Sequence, residues 1–219
     1  MAIKFYKTDI GTGWEVPWYC WELMKKNYGL ALGVSVLALC FYMVAVIPLV
    51  GPFLSTPLIF MYIVGSLFIG RDWEAGKPSS FNTFMTKATD RDTLKRLLPV
   101  IILQIVLSTA NVSLLESGIP GAGLAQFAIS VVGALIGIFC VPIMVFHPNV
   151  LFAEAFNLSL KAAWANIVPL IFGWLVFFVL AMVSAILLFF PLVFAFMPAA
   201  LTFHYVWYRV IFEDLQLGD

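Results

Sequence analysis

Long apolar runs alternate with short polar interruptions along most of this chain. Runs of about 18 or more apolar residues, the length that crosses a hydrocarbon core of roughly 30 Å, occur at 28–50, 53–70, 97–115, 122–146, 167–190 and 192–212. The pattern predicts an all-α fold: a polytopic transmembrane helix bundle with six spans arranged as three hairpins. Two separations contain almost no polar residue. They rest on Pro48, Gly51 and Pro52, and on Pro191, because proline removes a backbone donor and ends or bends a helix. The organisation that follows is an N-terminal cytoplasmic or interfacial segment at 1–27, a membrane domain at 28–213 and a tail at 214–219.

A short amphipathic stretch precedes each odd-numbered span. Trp14, Trp18 and Trp21 fall on one helical face, as do Phe81, Phe84, Met85 and Ala88, and as do Phe152, Phe156, Leu160 and Ala163. These stretches are expected to lie in the headgroup layer, with the three tryptophans as interfacial anchors. The apolar runs behind them begin near Gly29, Pro99 and Pro169, a spacing of 70 residues twice over, which suggests three copies of one unit.

Composition agrees with a membrane setting. Of 219 residues, 63% are hydrophobic and 11% charged, against about 25% charged in a soluble domain. A soluble globular protein is thereby excluded. Twelve basic and twelve acidic residues cancel, so no global field draws the chain to nucleic acid. The segment before Tyr28 is too mixed in charge for a cleaved signal peptide and reads as the lead into a retained span. Every Lys and Arg falls on one side of the six-span layout: Lys4, Lys7, Lys25 and Lys26; the group from Arg71 to Arg96; Lys161; and Arg209. Basic residues collect on the cytoplasmic face, so both termini are expected there.

Candidate chemistry is sparse. No Asp, Glu, Lys or Arg lies mid-span, which argues against a proton-coupled pump, and no nucleophile, phosphate-loop or dinucleotide motif is present. Cys20, Cys40 and Cys140 have no metal-type spacing, so no disulfide, no metal and no cofactor is expected. His147 and His204, both in the cytoplasmic half, would permit a bis-histidine haem site; capping of a helix end and a hydrogen bond inside the bundle are the ordinary roles. Gln104, Ser108 and Asn111 form a polar stripe on the third span, suited to a solute path or to bonds across helices. The pairs Gly29 with Gly33, Gly133 with Gly137 and Ala181 with Ala185 have the small-residue spacing of close helix packing. The stretch from Arg71 to Arg96 carries Arg71, Lys77, Lys87, Arg91, Lys95 and Arg96 among four acids, a surface for a partner or lipid headgroups, with Ser79, Ser80 and Asp92 as helix caps.

Two stretches carry a resemblance. The run from Ile47 to Leu98 contains Pro48, Gly51-Pro52, Thr56-Pro57, Gly70-Arg71-Asp72, Gly76-Lys77-Pro78 and Phe81-x-x-Phe84. The second contains Val141-Pro142, Ala155-x-x-x-Ser159-x-x-Ala162-x-x-x-Asn166-x-x-Pro169, Pro198 and Tyr205-x-x-Tyr208-Arg209-x-x-Phe212. Over about residues 28–213 the chain resembles a bacterial six-helix inner-membrane family of the domain-of-unknown-function kind, related in pattern to the membrane domain of some glycerophosphodiester phosphodiesterases. The resemblance implies a multi-pass fold in the bacterial inner membrane and brings no catalytic residues. The Trp-rich front, 1–27, departs from the family pattern.

The role expected from these features is a non-enzymatic accessory or scaffold subunit that packs, among membrane lipids, against another integral membrane protein or complex. The alternatives are a small-solute or lipid transporter or lipid-handling protein using the stripe on span three, and a haem-carrying electron-transfer subunit.

Overall fold

A computed structural model describes residues 3–45, 47, 50–116, 119, 121–186 and 195–217. The chain is all-helical, 83% helix, with no strand among the described residues. In order come α1 (Ile10–Lys25), α2 (Tyr28–Ala45), α3 (Gly51–Glu74), α4 (Phe81–Ala88), α5 (Arg91–Glu116) and α6 (Ala122–Leu135). A π-turn at Ile136–Cys140 carries α6 into α7 (Val141–Phe146); then follow α8 (Phe152–Ala165), α9 (Ile167–Ile186), α10 (Met197–Ala200) and α11 (Phe203–Phe212).

Four helical stretches are long and apolar enough to cross a membrane: Tyr28–Ala45, Gly51–Glu74, Arg91–Leu114 and Ala122–Phe146. A fifth arises if α8 and α9, bent by 81° at their junction, count as one broken span. The expected turns at Pro48 and Pro191, and the adjoining ends of spans five and six, lie outside the described residues.

Local chemistry sets the helix ends. Asp9 accepts from the Thr12 amide at the start of α1, and Ser80 accepts from the Thr83 amide at the start of α4, as its sequence position predicts. For α5 the expected cap, Asp92, is wrong by two residues. Asp90 accepts from the Thr93 amide at 3.0 Å, so the helix starts at Arg91 and runs through Pro99. Arg91, Lys95 and Arg96 are therefore on the first turns of a long helix and not in a loop.

The short helices α1, α4 and α8 begin at Ile10, Phe81 and Phe152, 71 residues apart each time. Their packing is cyclic. Helix α4 rests on α3 of the first third of the chain, α8 on the π-turn of the second, and α1 on α9 and α10 of the last. At matching positions, Gly13 and Pro17, Phe84 and Ala88, and Ala155 and Ser159 are all buried.

Each of the three is docked on the bundle through small or apolar residues. In α1 the bundle takes Gly13, Val16, Pro17, Cys20, Leu23 and Met24, while Trp14, Trp18 and Trp21 remain on the exposed side. In α8 the buried face is Ala155, Ser159, Ala162 and Ala163; of the expected face, Leu160 is exposed and Phe152 and Phe156 half-buried.

The close backbone approaches are not those of the expected glycine pairs. A β-carbon at Gly29, Gly33 or Gly137 would meet open space, because the first two face out of the bundle and the third faces a cavity. Spacing supplies small residues, but a partner helix must also stand opposite. The tight contacts fall at Gly13, where a β-carbon would come 2.5 Å from the Pro169 carbonyl oxygen, and at Gly65 and Gly70, which seat the rings of Phe84 and Tyr205. Ala181 lines a cleft beside α9, and the side chain of Ala185 lies outside those described. The fully buried large residues Trp73, Trp207, Tyr205, Tyr208, Phe84 and Phe139 build an aromatic core toward the end of the bundle that carries the basic residues.

Candidate functional site: a polar chamber in the bundle

Away from that aromatic core, the three parts of the chain line a half-open chamber of about 560 Å³. The first third contributes Tyr42 from α2 and Ser55, Thr56, Phe60 and Ile63 from α3. The second adds Gln104, Ser108 and Asn111 from α5, Gln126 and Gly133 from α6, and Gly137 and Ile138 from the π-turn. The last adds Trp174 of α9 and His204 of α11. The wall residues of α3 lie in its N-terminal part and those of α5 toward its C-terminal end, so the chamber occupies the half of the bundle remote from the basic residues.

The stripe expected from the sequence forms one wall of this chamber. Gln104 and Asn111 are seven residues apart, so their polar groups are spread over about 10 Å of depth at 1.5 Å per residue. Asn111 also ties two helices together: its Nδ2 donates to Ser130 Oγ at 3.1 Å, and Gln126 Nε2 donates to the Asn111 carbonyl at 3.1 Å. Gly133 makes room for Gln104, since a β-carbon there would lie 3.0 Å from its Nε2. The π-turn supplies the floor. Such turns arise where the regular ladder is interrupted, and Pro142 behind this one has no N–H to continue it.

Two acceptors in the chamber wall are unpaired. Gln104 Oε1 and Asn111 Oδ1 are buried without a hydrogen-bond partner. An unpaired buried amide oxygen costs about 1–3 kcal/mol, and both lie within the packed wall, without surface open to the chamber. Among the described residues no Asp, Glu, Lys or Arg lines the chamber, so an uncharged polar group matches these residues best.

At the basic end a second polar group is fully connected. Glu74, on the last turn of α3, accepts from Arg209 Nε at 2.8 Å, Arg209 Nη2 at 3.1 Å, the Tyr19 hydroxyl at 3.3 Å and the Tyr205 hydroxyl. Arg209 also binds Glu213, which accepts from Arg71 at 3.1 Å, and the Arg71 guanidinium stands 4.0 Å from the Phe146 ring centre. His147 Nε2 and the Tyr208 hydroxyl share a hydrogen bond of 2.9 Å; burial holds the His147 pKa below its ordinary value. This network joins α1, α3 and α11 and uses its groups on one another, which is the pattern of a structural clasp.

Beside it, buried Asn166 at the α8–α9 corner accepts from the Thr8 amide and hydroxyl and donates to the Tyr6 and Ala162 carbonyls, strapping the N-terminal segment down. The sequence offered little warning of either feature. Glu74 reads there as one more acid of a polar stretch, and Asn166 only as a marker within a resemblance.

The remaining basic candidates each have their own contacts. Arg96 donates to the Met144 carbonyl and Thr93, Lys87 lies 5.0 Å above the Phe68 ring, Arg91 and Lys95 border an apolar cleft with Pro57 and Leu98, and Lys77 is exposed. The two histidines have different surroundings, His147 in the clasp and His204 in the chamber wall. Compared with protein-family models, with characterised proteins and with solved structures, the chain matches none.

Proposed function

We propose that this chain is a six-span protein of the bacterial inner membrane, both termini cytoplasmic, whose three units close into a pseudo-threefold ring around a chamber that binds an uncharged polar group for transport or handling. The observation that carries this reading is the gathering of Gln104, Ser108 and Asn111 with Ser55, Thr56 and Gln126 in the wall of a cavity lined by all three thirds of the chain. The cyclic packing of α1, α4 and α8 supports the ring. The gathering of basic residues at the end opposite the chamber supports the orientation, with the chamber in the outer half.

The test compares small molecules that co-purify with the detergent-extracted wild-type chain and with Gln104→Leu/Asn111→Leu. A hydroxyl- or amide-bearing compound retained by the first and lost from the second is expected. Identical bound material in both overturns the reading.

A second reading, an accessory subunit docked on another membrane protein, is favoured by the exposed Trp14–Trp18 pair, whose rings meet edge to face at 5.8 Å, and by the outward face of α2. Purification of the chain as a stable monomer without any co-purifying subunit overturns that one.

A further inference from the structure

Many basic side chains of this protein are committed to partners of its own. Arg209 and Arg71 hold Glu74 and Glu213, Arg96 donates to the Met144 carbonyl, Lys25 pairs with Glu22 and Lys26 donates to the Trp73 carbonyl. Arg91 and Lys95 differ. Both are exposed, and among the described residues neither side chain makes a hydrogen bond or an ion pair. They stand at i and i+4 on the first two turns of α5, so they are neighbours on one helix face, with Cβ atoms about 5–6 Å apart.

That face continues into an apolar cleft. Leu94, Leu98 and Ile101 of α5 and Pro57 and Met61 of α3 line a space of about 330 Å³ that both cations border. From Arg91 to Ile101 the cleft follows α5 for about 15 Å at 1.5 Å per residue. Helix α5 is long and apolar enough to cross a membrane, and Leu98 and Ile102 stand exposed on it. The cleft therefore leads from the basic end of the bundle along a lipid-facing side of a span.

No acid balances the two charges there. Among the described residues none of the cleft-lining side chains is Asp or Glu; Asp90 is taken up by the Thr93 amide, and Asp92 pairs with neither cation. The apolar floor by itself accepts any lipid, so selection falls to the cations. A zwitterionic headgroup carries a cation beside its phosphate and gains little from two more. A free anion would use the cations and leave the cleft unused. A phospholipid with a net negative headgroup uses both, through charge-assisted hydrogen bonds to its phosphate and burial of its hydrocarbon.

We infer that the cleft between α3 and α5 is a binding site for an anionic phospholipid, its phosphate held by Arg91 and Lys95 and its hydrocarbon laid against Met61, Leu98 and Ile101. This site is separate from the chamber and does not depend on the chamber reading.

The experiment places the full chain in phosphatidylcholine nanodiscs containing a trace of phosphatidylglycerol or of phosphatidylcholine, each with the same diazirine-bearing acyl chain, and locates photo-crosslinks by peptide mass spectrometry. Phosphatidylglycerol is expected to label Met61, Leu98 and Ile101 about tenfold or more above phosphatidylcholine, the discrimination that two cations near a headgroup supply. Arg91→Gln/Lys95→Gln should bring it down to the phosphatidylcholine level. Lys77→Gln, which removes an exposed charge outside the cleft, should leave the preference intact. Met61→Trp/Leu98→Trp keeps the cations but fills the cleft, and should lower phosphatidylglycerol labelling at Ile101. Since Arg91 and Lys95 bind nothing within the chain, the glutamine variant should keep the wild-type unfolding midpoint in detergent, which separates loss of the site from loss of the fold.

Equal labelling by the two lipids, or a preference that survives Arg91→Gln/Lys95→Gln, overturns the site. An equal fall in Lys77→Gln overturns it as well, because the preference then belongs to the general field of the basic end. Labelling at Ile101 unchanged by the filled cleft shows a headgroup held without its hydrocarbon and overturns the cleft as the binding site.

Discussion

Glu74 and Arg209 meet side-on, with Nε against Oε2 at 2.8 Å and Nη2 against Oε1 at 3.1 Å, so that the last turn of α3 and the last turns of α11 are joined by a two-point contact. The two side chains keep 18% and 22% of their exposure, which puts the pair between a surface ion pair and a buried one. Breaking it by one substitution is expected to cost about 1–3 kcal/mol. Glu74→Ala and Arg209→Ala should each lower the midpoint of thermal unfolding in detergent, and the double variant should lose less than their sum, because the second change removes a charge already stranded by the first. Additive losses would show that the two residues act separately.

His147 and Tyr208 provide a pH prediction. The His147 pKa is pushed below its ordinary 6.5, with burial the leading cause. Between the lowered value and 6.5 the unfolded chain binds a proton that the folded chain does not, so stability at this contact rises with pH across the window and falls as the pH drops through it. Protection of the His147, Asn149 and Val150 amides, after correction for the intrinsic exchange rate, is expected to fall below about pH 6.5. His147→Gln should flatten that dependence.

Asp90, not Asp92, caps α5. Asp90→Ala is expected to cost about 1 kcal/mol, and Asp92→Ala a few tenths through the helix dipole alone. The hydrogen bonds from Thr93 hold the Asp90 carboxyl below its ordinary 3.8, so the cap is complete at neutral pH and is lost as acid protonates it through that lowered value. Equal effects of the two substitutions on unfolding would reassign the cap.

The glycines divide into two behaviours. Gly13→Ala places a methyl against the backbone of Pro169 and Gly173, so α1 must move off α9; a loss of about 1–3 kcal/mol is expected, with faster proteolysis of α1. Gly33→Ala meets nothing and replaces a poor helix former with a good one, for a gain of about 0.5–1 kcal/mol. Unfolding midpoints of the two variants should move in opposite directions.

Asn166→Leu removes all four hydrogen bonds at the α8–α9 corner and leaves the Thr8 and Tyr6 backbone groups that it served without their partner. Residues 3–9 should become cleavable by protease while α9 and α11 stay protected. Cleavage unchanged from wild type would mean that the Tyr6 amide bond to the Ile211 carbonyl holds the segment unaided.

How legible the site was depended on the kind of residue. The stripe of Gln104, Ser108 and Asn111 stood out because polar groups are costly in an apolar run and helical periodicity places all three on one face. Ser55, Thr56 and Gln126 share the chamber with them but stood apart in sequence, without a partner to reveal the shared space. The glycine pairs misled for the converse reason. Gly29 and Gly33 satisfy a spacing rule, while the close contact at Gly13 pairs it with residues more than a hundred positions away and leaves no local trace.

Hydropathy and length by themselves determined that this chain is helical and suited to lipid, because each apolar run must satisfy its backbone internally wherever water is absent. The spacing of amphipathic stretches likewise determined that α1, α4 and α8 precede long helices. Only the tertiary structure decided that α4 packs on α3, α8 on the π-turn and α1 on α9, that Glu74 finds Arg209, and that the stripe on α5 lines a chamber with residues of α3, α9 and α11. The difference is physical. Burial of a run depends on its own composition, whereas a cavity is a property of several helices at once and is encoded in no single one of them.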